Sequence, residues 1–170
     1  RDKLFKGLPA YAECGGFMYL CRTLKDMEEN VFDMAGVFPA HCEMTDKLQR
    51  FGYVNINIVD NCSIGKVGYT IRAHEFHYSV ANTDQTGEAP AIANCYQVVK
   101  QRKNGGSLQW KDGWRISNTL AGYPHIHFWS NTRFARVFVK NCAQIKPEHS
   151  LFKRNIGCLR GTLQALEGKK

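Results

Sequence analysis

The chain has 170 residues, a formal net charge of +8, 44% hydrophobic and 22% charged residues, which suits one domain with a sizeable core. No apolar run is long enough for a membrane-spanning helix. The seven cysteines are odd in number and lack CxxC spacing, so neither a disulfide framework nor a structural metal site is expected, and a reducing cytoplasm is. No signal-peptide pattern opens the chain. Its basic residues do not alternate with aromatics in a run. They read as a solvated surface, with no nucleic-acid or membrane partner expected.

Residues Leu8–Ala12 form a short apolar run that predicts a buried strand. Glu13-Cys14-Gly15-Gly16 then turns abruptly, and Phe17, Leu20, Cys21, Leu24 and Met27 mark one face of a helix predicted from Phe17 to about Glu29. A strand–turn–helix with cysteine at the turn exposes a nucleophile, and a following helix N-terminus favours its thiolate. Val31–Phe38 reads as a strand ending at Pro39, and Gly52–Asp60 alternates with period two as a half-buried strand. Lys66–Ser79 reads as one or two further strands, 82–90 as a loop and Ala93–Lys100 as a strand. Asp112-Gly113 between alternating apolar residues signals a hairpin turn. Ser130 or Asn131 can cap a helix running to about Cys142. The order implies an α/β fold, a mixed sheet flanked by helices.

A nucleophilic thiol needs a base. Tyr123-Pro124-His125-Ile126-His127 supplies two imidazoles which, in a strand, share a face. Two histidines at a sheet end bonded only to backbone would be the structural alternative. A second dense segment, Arg72-Ala73-His74-Glu75-Phe76-His77-Tyr78-Ser79, carries two imidazoles and a carboxylate. Its histidines stand three residues apart, so it lacks the spacing of a His-Glu-x-x-His zinc helix. Substrate binding, contact with a neighbouring domain and an exposed polar strand remain open for it.

The segments Tyr11-Ala12-Glu13-Cys14-Gly15-Gly16-Phe17-Met18-Tyr19-Leu20, Met44–Tyr53, His74-Glu75-Phe76-His77-Tyr78-Ser79 and Tyr123-Pro124-His125-Ile126-His127-Phe128 together resemble the glutaminase domain of the cobyrinic acid a,c-diamide synthase family. Nickel-sirohydrochlorin a,c-diamide synthases share these motifs. The resemblance implies a class I, triad-type glutamine amidotransferase fold, read here as lacking its first strand and helix. It places residues 1–145 in the C-terminal part of that domain and 146–170 in a tail, read as a short added helix. It implies Cys14 as nucleophile, His125 as base and His127 in the orienting position. Gly15 and Gly16 would form the oxyanion site, and His74, Glu75 and His77 would bind substrate. Glutamine is the implied substrate of this chain. A corrinoid or related tetrapyrrole would be amidated by an ATP- and magnesium-dependent synthetase domain, and no cofactor is expected within these residues. No Gly-x-x-x-x-Gly-Lys-[Ser/Thr] phosphate loop occurs in the chain, so that domain is read as absent. A homodimer is the expected assembly. A non-catalytic module of the same fold and a Cys–His hydrolase acting on another amide or ester are the competing readings.

Overall fold

The computed structural model describes residues 1–84 and 91–145; the predicted loop beyond Asp84 and the tail from residue 146 lie outside the described residues. The elements in order are α1 (Asp2–Phe5), β1 (Ala10–Glu13), α2 (Gly15–Leu20), β2 (Thr23–Lys25), β3 (Val31–Asp33), β4 (Ala40–Met44), β5 (Arg50–Ile58), β6 (Thr70–His77) and β7 (Ser79–Thr83). Then follow β8 (Ala93–Gln101), β9 (Ser107–Ile116), β10 (Thr119–Gly122), β11 (His125–Ile126) and α3 (Thr132–Ala143). A seven-stranded sheet runs β1-β10-β9-β8-β5-β6-β11, and a four-stranded sheet runs β3-β2-β4-β7. Both are mixed: β1 is parallel to β10 and β2 to β4, and the other pairs are antiparallel. The α/β mixed-sheet expectation holds.

Alternation explains the burial. On β5, Val54, Ile56 and Ile58 point to one core; on β6, Ile71 and Ala73 do the same. Val98, Leu120 and Phe134 of α3 complete that cluster. A second core gathers Phe17 and Leu20 of α2 with Val37, Phe38, Ala40, Cys42, Ala121 and Tyr123. Strand β10 is buried on both faces, because Leu120 enters the first core and Ala121 the second. Strand β1 divides likewise, Tyr11 packing on the first core and Ala12 on the second. The strand that leads to Cys14 is thereby held from both sides. Among the described residues, no helix is long and apolar enough to cross a membrane.

Four expectations need correction. The helix after Cys14 ends at Leu20 rather than near Glu29. Its periodic pattern is overridden by strand pairing: Thr23–Lys25 lies between β3 and β4, and Arg22 N–H donates to the Ala40 carbonyl at 2.8 Å. The Val31–Phe38 strand stops at Asp33, and Val37 and Phe38 instead fill the second core from irregular backbone. Asp112-Gly113 is no hairpin turn but lies inside β9, whose register against β8 runs from Ser107 to Arg115. The turn joining β8 to β9 lies at Arg102–Gly106, where Arg102 N–H donates to the Gly106 carbonyl. Last, His125 and His127 do not share a strand. β11 ends at Ile126, and His127 caps the 3-10 turn Phe128–Ser130. The last helix agrees with expectation: Asn131 accepts the Arg133 N–H at 3.2 Å as its N-cap.

Candidate active site

Cys14 sits at an elbow between β1 and α2 with φ 48° and ψ −107°. A non-glycine residue at positive φ is strained by about 1–3 kcal/mol and persists only where its surroundings hold it. Here its N–H donates to the Gly122 carbonyl at 2.8 Å, extending the β1–β10 ladder, and its carbonyl accepts the Met18 N–H at 3.0 Å, opening the helix. The glycines have separate tasks. A Cβ on Gly15 would meet nothing within 4 Å, so the space beside it is open. A Cβ on Gly16 would lie 3.3 Å from the Ala12 Cβ, so this glycine lets α2 pack closely on β1.

The thiol does not rest as the stabilised thiolate that the elbow suggests. Burial pushes the Cys14 pKa up, and the Glu13 and Glu75 carboxylates add to the rise, against a lowering contribution from the Gly15 N–H. Burial and the two carboxylates thus favour the protonated thiol at Cys14.

His125 pairs in register with His74 across β11 and β6, and its ring is partly exposed. Its Nδ1 lies 3.5 Å from Glu13 Oε2. Among the described residues, the polar contacts at this ring run to Glu13, with no hydrogen bond to the Cys14 sulfur. His127 is exposed, one residue beyond the strand.

Alternation on β6 divides the His-Glu-Phe-His segment. Glu75 and His77 face inward, while His74 lies on the opposite face beside Phe51 and Tyr53 (ring centroids 5.8 and 5.3 Å apart). His77 stacks flat on Tyr123 at 3.8 Å, and its Nδ1–H donates to the Ser79 carbonyl at 2.9 Å. Burial holds the His77 pKa down, so its Nε2 is a bare lone pair, 3.9 Å from Glu75 Oε2. Glu75 is 1% exposed and neither carboxyl oxygen has a hydrogen-bond partner. Burial, reinforced by the nearby Asp112 carboxyl, raises its pKa to about 7. Asp112 itself is pushed up to about 6 by burial, although its Oδ1 accepts the Gly113 N–H at 2.6 Å.

These raised values carry a stability consequence. Between the unfolded pKa near 4.5 and the folded value of about 7, the native state binds more protons at Glu75 than the unfolded state. Stability therefore falls as pH rises through that window, by about 3 kcal/mol for a shift of this size. Replacing Glu75 by Gln should raise the denaturation midpoint at pH 8, do less at pH 5, and flatten the slope between them. Urea titrations at both pH values check this; an equal effect at both would contradict it.

The structure thus gathers Cys14, Gly15, Glu75, His77 and His125 around the end of β1, with His74 behind His125 and His127 apart. Two acidic neighbours were not singled out from sequence. Glu13 precedes the cysteine and carried no role, because strand alternation alone sends it to the other face. Asp112 was hidden by the turn reading of Asp-Gly, although a carboxylate inside an apolar strand was its signal.

The mixed α/β fold sets the Cys14 elbow at one edge strand of the seven-stranded sheet and His125 on the edge strand at the other end of its order, with Glu13 reaching from the first to the second. A solved structure described as a glutamine amidotransferase shares the fold with a TM-score of 0.50 at 14% identity, covering 83% of this chain and 67% of that one. The chain belongs to the CobB/CobQ-like glutamine amidotransferase domain family, whose model matches residues 1–133. A cobyrinate a,c-diamide synthase of Listeria innocua is 42% identical over 126 residues, 74% of this chain and 26% of that protein. One from Salmonella typhimurium is 40% identical over 124 residues, 72% of this chain and 25% of that protein. The chain therefore spans about a quarter of the length of the curated relatives it matches.

Proposed function

We propose that this chain hydrolyses glutamine and supplies ammonia to an a,c-diamide synthase of the cobyrinate type. The observation that carries the reading is Cys14 held at positive φ on an elbow whose neighbouring glycine leaves the space beside it open. In the reaction, Cys14 Sγ attacks the side-chain carbonyl carbon of glutamine while His125 takes the thiol proton. The tetrahedral oxyanion is met by backbone N–H groups, with Gly15 the candidate next to the nucleophile. The C–N bond breaks, His125 returns the proton to the leaving nitrogen, and ammonia departs from a glutamyl thioester. Water, deprotonated by His125, attacks the thioester; the C–S bond breaks, glutamate leaves and the thiol is restored. Glutamine and water become glutamate and ammonia. The thiol–imidazole contact forms with substrate in place, as catalytic hydrogen bonds often tighten only in the complex.

The synthetase half of the reaction, with ATP, magnesium and a corrinoid carboxylate, belongs to the length that the curated relatives have beyond this match. Among the described residues no group of three or more His, Cys, Asp or Glu is arranged to hold a metal ion. A corrinoid is the proposed final acceptor, with the nickel tetrapyrrole of nickel-sirohydrochlorin a,c-diamide synthases as the alternative. The domain boundary near residue 145, the cytoplasmic location and a homodimer form part of the same proposal.

A diazo-ketone analogue of glutamine tests it. Mass spectrometry should find one adduct on Cys14, none on the Cys14→Ser variant, and a slower reaction for His125→Ala. Labelling that persists in Cys14→Ser, or an unreactive but folded wild-type chain, would favour a non-catalytic module.

A further inference from the structure

We infer that Glu13 is the positioning residue of this site: its carboxylate anchors β11 and fixes the His125 imidazole with Nδ1–H toward it and Nε2 free for the thiol. This rests on the glutaminase reading and extends it to a residue that the reading leaves without a role.

The geometry converges on one carboxylate. Glu13 Oε1 accepts two hydrogen bonds, from the Tyr11 phenol at 2.6 Å and from the Ile126 N–H at 2.7 Å. Both its lone-pair directions are committed, which turns Oε2 toward His125 Nδ1 at 3.5 Å. Ile126 follows His125 directly, so a single side chain holds both the ring and the backbone that carries it. β11 is two residues long and pairs with β6 on one side. Glu13 serves its other side, where the ladder has no further strand to offer. The Tyr11 ring also packs edge-on against Phe128 at 5.8 Å, tying β1 to the segment beyond β11. Burial pushes the Tyr11 phenol up, so it remains a donor and Glu13 Oε1 keeps its partner.

Other groups are less suited. His127, which the resemblance places in the orienting position, is exposed beyond the strand end. Glu75 faces inward on β6, where its basic neighbour is His77 rather than His125. Among the described residues, Glu13 alone combines a charged acceptor, a 3.5 Å approach to the ring and a bond to the adjoining amide. An acceptor on Nδ1 selects the tautomer whose Nε2 can take a proton. Cys14 follows Glu13 in sequence, so nucleophile and positioning carboxylate move together on one strand end.

The test is Glu13→Gln. The amide oxygen can still accept from Tyr11 and Ile126, so the fold is retained, but its N–H₂ then faces Nδ1 and favours the inverted tautomer. In the full chain, kcat for glutamine hydrolysis should fall roughly 10–10³-fold with KM changed by less than about twofold. The same change in a His125→Ala background should cost nothing further, because Glu13 acts through that ring. Nitrogen-15 shifts of the His125 ring at pH 8 should report Nδ1–H in the wild type and Nε2–H in the variant. An unchanged tautomer, a kcat within about twofold of wild type, or an equal loss without His125 overturns the assignment. Should Cys14→Ser keep hydrolysing glutamine, the glutaminase reading fails instead, and the ring shifts still decide the role of Glu13.

Discussion

His125→Ala is expected to lower kcat for glutamine hydrolysis by roughly 10²–10⁴-fold, the contribution typical of a positioned general base and acid. Burial keeps the Cys14 thiol protonated, and the Glu13 and Glu75 carboxylates oppose its ionisation. Without an imidazole to take that proton, attack on the amide must proceed from the thiol or a rare thiolate. Protonation of the leaving nitrogen is lost as well, so both halves of the reaction slow. Substrate binding is not expected to change by much, and KM should move far less than kcat. The comparison that decides it is steady-state glutamate release by wild type and variant, with circular dichroism confirming the fold. A loss under about threefold would remove His125 from the mechanism.

Gly113→Ala carries the largest expected loss of stability, about 3 kcal/mol or more, combining overpacking with an unfavourable backbone angle. Gly113 has φ 66°, a region where side chains are rarely accommodated. A Cβ there would come to 2.6 Å from Cδ1 of Tyr96. Tyr96 is among the largest fully buried side chains and belongs to the first core, so its ring cannot swing away into solvent. Gly113 also donates its N–H to Asp112, whose Oδ1 accepts from Tyr123 N–H at 3.4 Å as well. The strain therefore reaches the Tyr123 segment leading to His125. Chemical denaturation should show a midpoint shift at unchanged m-value. A variant as stable as wild type would mean that β9 relaxes around the methyl group.

Much of the fold was legible because its strands carry strong period-two patterns. β5 overlaps the segment that alternation marks, β6 and β8 overlap segments read as strands, and Asn131 caps α3 as its position before an amphipathic run suggests. The short elements were not legible for a physical reason. β2, β3 and β4 take their form from pairing with each other, and a helical run such as Leu20–Met27 loses to that pairing at Cys21. Asp112-Gly113 was misread because Asp-Gly serves turns in most strands, whereas here the glycine makes room for Tyr96 and the aspartate turns back onto backbone amides. At the site, motif and chemistry point to Cys14 and His125 as candidates. The inward and outward division of residues 74–77 needed only the strand period, once the strand's start was known. Glu13 needed the third dimension, because its partner Ile126 stands 113 residues away.

The protonated state of Cys14 has a bearing on its survival in the cell. Oxidation to sulfenic acid proceeds through the thiolate, so a thiol held above its ordinary pKa is a poor target for peroxide. In the proposed reaction, the burial and the Glu13 and Glu75 carboxylates that would make Cys14 depend on His125 also disfavour the thiolate on which peroxide acts.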